Sequence, residues 1–161
     1  MCPVKYSHII ILIAHSKTAA RILSEMFKTR TINKYYKALV QGHPDAPQTL
    51  DTPLEDKKAI TKILSTNEQT DNAYSLLDIQ ILTGRKHQIR QHLADIGFPI
   101  IGDRLYGSKP KGQTSNDAVN LCLTAYKMSF ESPFNSPSQA KHYELGSEFY
   151  PHYSHKDTSN Q

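Results

Sequence analysis

The hydrophobic positions of the chain change period several times, and each change marks an element. Residues 7–14, SHIIILIA, are a continuous run rich in β-branched residues, as expected of a strand buried on both faces. Ser16 then stands where a helix N-cap belongs, and Ala19, Ile22, Leu23, Met26 and Phe27 recur at helical spacing. In KYYKALV, residues 34–40, the pattern alternates, so Tyr36, Ala38 and Val40 share one face of a strand. A turn-rich break at 42–47, a strand at 58–65 and a hairpin loop at 66–72 lead to a strand at 74–82 with Leu77, Ile79 and Ile81 on one face. The next period is helical, over 85–96, with Ile89, Leu93 and Ile96 as its core stripe. Gly97 stops that helix and Pro99 forbids its continuation. A Lys-, Gly- and Ser-rich loop at 108–117 precedes a last strand at 121–130, ended by Ser132-Pro133. From Asn135 the sequence is polar and without period. The pattern predicts an α+β fold with a mixed, mostly antiparallel sheet and flanking helices. It assigns residues 1–134 to one domain and 135–161 to a polar, flexible tail.

Composition adds little to this and excludes more. A chain of 161 residues holds one domain, and its net charge of +4 leans toward a polyanionic partner such as nucleic acid. Two cysteines, Cys2 and Cys122, are too few for a disulfide framework and too far apart in sequence for a clustered zinc site. The apolar run at 9–14 is far short of the ~20 residues of a membrane span, and no signal-peptide cleavage pattern follows a basic start. A reducing cytoplasm, with no membrane association and no metal, is the expectation.

The helix at 85–96 carries the candidate chemistry. Successive helical residues are ~100° apart, so His87, Arg90, Gln91 and Ala94 gather on a face beside the apolar stripe. Arg90 therefore stands at the edge of the core, where a guanidinium requires a carboxylate or a phosphate. A structural carboxylate and a bound anion both satisfy that requirement. Thr83-Gly84-Arg85 precedes the helix and suits a phosphate at its N-terminus. His87 and His92, five residues apart, point to different faces and make no metal pair.

The segment LLDIQILTGRKHQIRQHLADIGFPIIGDRLYG resembles the RluA-type RNA pseudouridine synthases. So do KYYKALVQG upstream and LCLTAYKMSFESP downstream, in the same order and at similar spacing, over roughly residues 9–133. Where the family commonly has His, this chain has Thr124. The resemblance implies a cofactor-free isomerisation of uridine in rRNA or tRNA, in which an Asp acts on a flipped-out base. It makes Tyr36, in the Y-x-A pattern, the aromatic face of the active site, although Tyr36 by itself reads equally well as strand packing. Arg90 matches the Arg that pairs with the catalytic Asp, and an adjacent cation keeps such an Asp ionised. Lys34, Lys37, Arg85, His87 and Arg104 become the candidate RNA contacts. Asp103, in GDRLYG, reads as a turn residue rather than a nucleophile.

The catalytic Asp of the family lies in HRLD-x-x-[ST]-[ST]-G, which runs into the first apolar strand. The matching position here falls near Val4 or Lys5, and the first Asp of the chain is Asp45. The expectation is a chain truncated at its N-terminus, inactive or weakly active, with a non-catalytic RNA-binding remnant as the alternative. Arg90 would then be a cation without its partner, costing a few kcal/mol, and the protein would be marginally stable or prone to associate. No obligate protein partner is expected.

Overall fold

The computed structural model of the chain describes residues 8–68, 73–107, 120–134 and 139–151. Among them the order is α1 (Lys17–Thr29), β1 (Asn33–Gln41), β2 (Gln48–Leu50), β3 (Thr61–Glu68), β4 (Tyr74–Ile81), α2 (Gln88–Asp95), β5 (Leu123–Ser132) and β6 (Gln139–Glu144). All six strands form one sheet, ordered β2-β3-β4-β1-β5-β6, and every pairing is antiparallel. The expected α+β class is therefore the class adopted. β1 lies between β4 and β5, and its run of Ala38, Leu39 and Val40 is fully buried.

Residues directly opposite each other in an antiparallel ladder share a face. Lys34, Tyr36, Ala38 and Val40 accordingly lie with Ile81, Ile79, Leu77 and Ser75, while Tyr35, Lys37, Leu39 and Gln41 lie with Gln80, Asp78, Leu76 and Tyr74. Thr61, opposite Ile81, belongs to the first face and receives Gln88 and His92 of α2. Phe27 of α1 meets Lys34 on that face as well. The two helices thus cover the face that carries Tyr36.

α1 begins as its sequence predicts, with the Ser16 hydroxyl accepting from the Ala19 N–H at 3.1 Å. α2 begins three residues later than its periodicity suggests. The Gln88 side chain closes the preceding turn, its Oε1 accepting from the Thr83 hydroxyl at 2.6 Å and the Arg85 N–H at 3.0 Å. Its amide donates to the Ile60 carbonyl at 2.9 Å and to Thr61 Oγ1 at 3.0 Å. His87 consequently sits outside the helix at φ 53°. One turn on, the buried His92 donates from Nε2 to the Thr52 carbonyl at 2.9 Å, since a carbonyl only accepts. Its Nδ1 then accepts from the Thr61 hydroxyl, also at 2.9 Å.

Two expectations are corrected. Residues 8–14 form no strand: Ile10 and Leu12 pack against Ile32, Met128 and Phe130, but Ile9, Ile11 and Ile13 are 66%, 67% and 75% exposed. A run of unbroken apolar residues does not reveal which of its two faces lacks a cover. The polar segment after Asn135 is not a loose tail throughout, because residues 139–144 form β6 on the edge of β5. The Leu145 N–H continues the β5 edge by donating to the Tyr126 carbonyl at 2.8 Å, after which the chain reaches the second sheet face, where Tyr150 meets the Tyr126 ring and Pro151 is buried. The predicted loop at 108–117 falls outside the described residues.

Gln88→Leu keeps the side-chain bulk but leaves four buried or half-buried partners without their hydrogen bonds. We expect a loss of about 2 kcal/mol or more in urea unfolding, with little change in m-value.

Candidate functional site

Arg90 has a partner within the chain. Its Nε donates to Asp103 Oδ2 at 2.8 Å and its Nη2 to Oδ1 at 2.7 Å, a two-pronged pair in which the Asp103 side chain is wholly buried and that of Arg90 is 17% exposed. Oδ1 also accepts the N–H groups of Leu105 and Tyr106, at 2.9 and 3.0 Å, so the same carboxylate closes the GDRLYG turn. Gly102 enters that turn at φ 77°, and a Cβ there would run into the Asn120 carbonyl. The expected unpaired cation is thereby corrected. The sequence carried the signal, since GDRLYG lies just beyond the helix, but its Asp reads there as a turn residue only.

The electrostatics follow from this geometry. Burial alone would raise the Asp103 carboxyl. The Arg90 hydrogen bond, the Tyr106 and Leu105 N–H groups and the Arg90 charge outweigh it and hold the carboxyl below its ordinary value. The hydrogen bond to Asp103 raises Arg90 against its own desolvation. The guanidinium also lies over the Tyr106 ring, 5.2 Å from its centroid, and the Tyr106 hydroxyl meets His87 Nδ1 at 3.2 Å. His87, Arg90, Asp103 and Tyr106 form one connected unit.

Tyr36 packs half-buried against the core, and burial raises its phenol, so the ring is a neutral aromatic surface. Lys34 stands two residues before it on the same face, with Nζ 3.9 Å from where a Gly84 Cβ would be. Burial first, then the charge of Arg30, lowers Lys34. The face around Tyr36 therefore includes a half-buried amine and the Thr83-Gly84-Arg85 turn. Arg85 is half-buried and donates from Nε to the Lys58 carbonyl at 3.0 Å, whereas Arg104 is exposed.

Lys37 is not brought together with these groups. One residue from Tyr36 on a strand, it points to the opposite face, where Nζ pairs with Asp78 at 3.3 Å and lies over the Tyr126 and Tyr150 rings, 4.7 and 5.4 Å from their centroids. Tyr126 donates to Asp78 at 2.9 Å, and burial, then that hydrogen bond and the Asp78 charge, raise its phenol. Thr124 lies on this face too, and its hydroxyl donates to the Phe149 carbonyl at 3.2 Å. The residue that departs from the family pattern thus pins the C-terminal segment. Strand alternation thus turns Lys37, expected among the RNA contacts, away from Tyr36.

Asp103→Asn should cost about 3 kcal/mol in chemical unfolding, because it leaves a largely buried guanidinium without its carboxylate. The pH dependence has a definite sign. A depressed folded-state pKa contributes stability above the ordinary carboxylate value near 4, and that stability is lost as pH falls through the lower folded value. Stability measured from pH 5 down to pH 2 should therefore fall less steeply in Asp103→Asn than in the parent chain.

Comparison with known proteins places this arrangement. The family model described as RNA pseudouridylate synthase matches residues 10–95. An uncharacterised RNA pseudouridine synthase of Mycobacterium bovis is 44% identical over 137 residues, covering 77% of this chain and 44% of its own length. The dual-specificity RNA pseudouridine synthase RluA of Salmonella typhimurium is 30% identical over 149 residues, covering 77% of this chain and 67% of its own. Human RNA pseudouridylate synthase domain containing 1 shares the fold, with a TM-score of 0.66 at 22% identity, over 90% of this chain and 70% of the human one. The present chain spans less than half of the Mycobacterium bovis relative. By its matched segment and by these relatives, the chain belongs to the RNA pseudouridylate synthase family.

Proposed function

We propose that this chain supplies the base-holding and RNA-facing part of a pseudouridine synthase site, in cytoplasmic rRNA or tRNA, and isomerises uridine weakly or not at all by itself. The observation that carries this reading is the state of its carboxylates. The chain has no Asp before Asp45. Asp103, the carboxylate at Arg90, is wholly buried and committed to four hydrogen bonds. Asp78 is held by Lys37 and Tyr126 on the face opposite Tyr36. A nucleophile or base needs a lone pair directed at the substrate, and neither of these two carboxylates has one there.

Binding is supported by what the Tyr36 face does carry. An aromatic ring beside a cationic side chain suits a base taken out of its stack, and Arg85 of the Thr83-Gly84-Arg85 turn suits an adjoining phosphate. His87 meets Tyr106 of the Asp103 turn, and Arg104, exposed in the same turn, adds a positive charge. Arg90 acts on RNA through the turn it holds, so its substitution tests the fold as much as the contact.

Two measurements test the reading. Tritium release from RNA labelled at uridine C5 should stay at background with the 161-residue chain; sustained release would overturn it. Binding of a uridine-containing RNA should weaken linearly with log salt, and Arg85→Ala should reduce that slope by about one. Binding indifferent to salt would remove the RNA-facing assignment.

A further inference from the structure

A recess of about 240 Å³ opens between the tight turn at residues 54–57 and the Thr83-Gly84-Arg85 turn. Around it stand Glu55, Lys57, Gly84, Arg85, Lys86 and Gln91, and at about 30 Å³ per water it has room for a hydrated phosphate group. Lys57, Arg85 and Lys86 are cations, and Glu55 pairs with none of them. Among the described residues no ion pair involves any of these four. The backbone holds them in place: Leu54 and Lys57 each donate an N–H to the other's carbonyl at 3.0 Å, with Glu55 and Asp56 in left-handed backbone at φ 51° and 57°. Such turns ordinarily take Asn and Gly, and backbone strain of this kind gathers where ligands are held. Across the recess, Gln91 donates to the Lys86 carbonyl at 3.1 Å, and Arg85 gives its Nε to the Lys58 carbonyl at 3.0 Å. The terminal nitrogens of Arg85 meet no acceptor among the described residues.

Gly84 joins the recess to the Tyr36 face. It lines the recess, and a Cβ on it would stand 3.9 Å from the Lys34 amine and, its chain neighbours apart, within 4 Å of nothing else. Lys34 shares its sheet face with Tyr36 and likewise makes no ion pair among the described residues. Cations without counter-ions therefore continue from the aromatic ring, past a residue with no side chain, to Lys57 and Lys86. We propose, resting on the RNA-facing reading of the Tyr36 face, that this recess is a second RNA subsite. It takes a phosphodiester of the strand next to the nucleotide at Tyr36, with Lys57 and Lys86 as its cations and Arg85 as its hydrogen-bonding fork. Like charges gathered in one recess repel each other, and a bound polyanion relieves that repulsion while its own counter-ions are released. The bare backbone of Gly84 leaves the passage open to a sugar-phosphate chain.

Fluorescence anisotropy of a labelled oligouridylate about ten nucleotides long, titrated with the 161-residue chain over a range of salt concentrations, tests this assignment. Lys57→Ala combined with Lys86→Ala should raise the Kd about fivefold and lower the salt slope by roughly 0.7, the share of one single-strand phosphate. Both side chains are exposed, so the fold stays intact, which circular dichroism checks. Gly84→Asp sets a carboxylate between Lys34 and the recess at a residue outside the left-handed backbone region, and should weaken binding at least as much. Lys62→Ala combined with Lys127→Ala removes two charges from the opposite sheet face and should leave the Kd and the slope near those of the parent chain. Salt-sensitive binding that the Lys57 and Lys86 substitutions leave unchanged overturns the recess alone. So does binding that Gly84→Asp leaves at full strength, or that the Lys62 and Lys127 substitutions weaken equally. A parent chain without salt-sensitive binding overturns both the recess and the RNA-facing reading.

Discussion

The pairing of Arg90 with Asp103 is the constraint on which the rest of the site depends. It joins a helix to a turn thirteen residues away in sequence, and it does so through a side chain that is wholly buried. Because the same carboxylate caps the N–H groups of Leu105 and Tyr106, the ion pair fixes both the direction of the guanidinium and the path of the backbone. Tyr106 is then held over Arg90, and His87 is held by Tyr106. Removing either charge from such a unit leaves its partner desolvated, so the unit persists or fails as a whole.

A second constraint is the alternation of the central strand. Lys34 and Tyr36 face the helices; Tyr35 and Lys37 face the C-terminal segment. The two sides of one strand therefore do different work. The helix side presents an aromatic ring, an amine and the Thr83-Gly84-Arg85 turn. The other side binds residues 145–151 through Tyr126, Thr124 and Lys37, and so converts a polar sequence into the second cover of the sheet.

These particulars explain what was legible in the sequence. β4 and α1 were, because a period of two and a period of 3.6 with an N-cap are local properties. The family was legible from ordered motifs, and the side on which Lys37 lies follows from the same alternation that placed Tyr36. What was not legible depended on partners distant in sequence. The pairing of Arg90 with Asp103, the cover supplied by residues 145–151 and the one-sided burial of residues 8–14 are all tertiary choices. The continuous run at 8–14 is the clearest case: its composition measures hydrophobicity, whereas strand formation needs lateral hydrogen-bond partners. The late start of α2 has a similar cause, since Gln88 satisfies the preceding turn instead of extending the helix.

The pairing of Arg90 within the chain does not close it to a second anion. A guanidinium carries five N–H donors, and Asp103 takes two of them. The other three meet no acceptor among the described residues, and the side chain retains access to solvent. A second carboxylate arriving there would feel two opposing effects: the guanidinium favours its ionised form, while Asp103, a like charge across the same fork, disfavours it. Because Asp103 already neutralises Arg90, the net pull on an added carboxylate is weaker than that of an unpaired Arg, and its pKa is lowered correspondingly less.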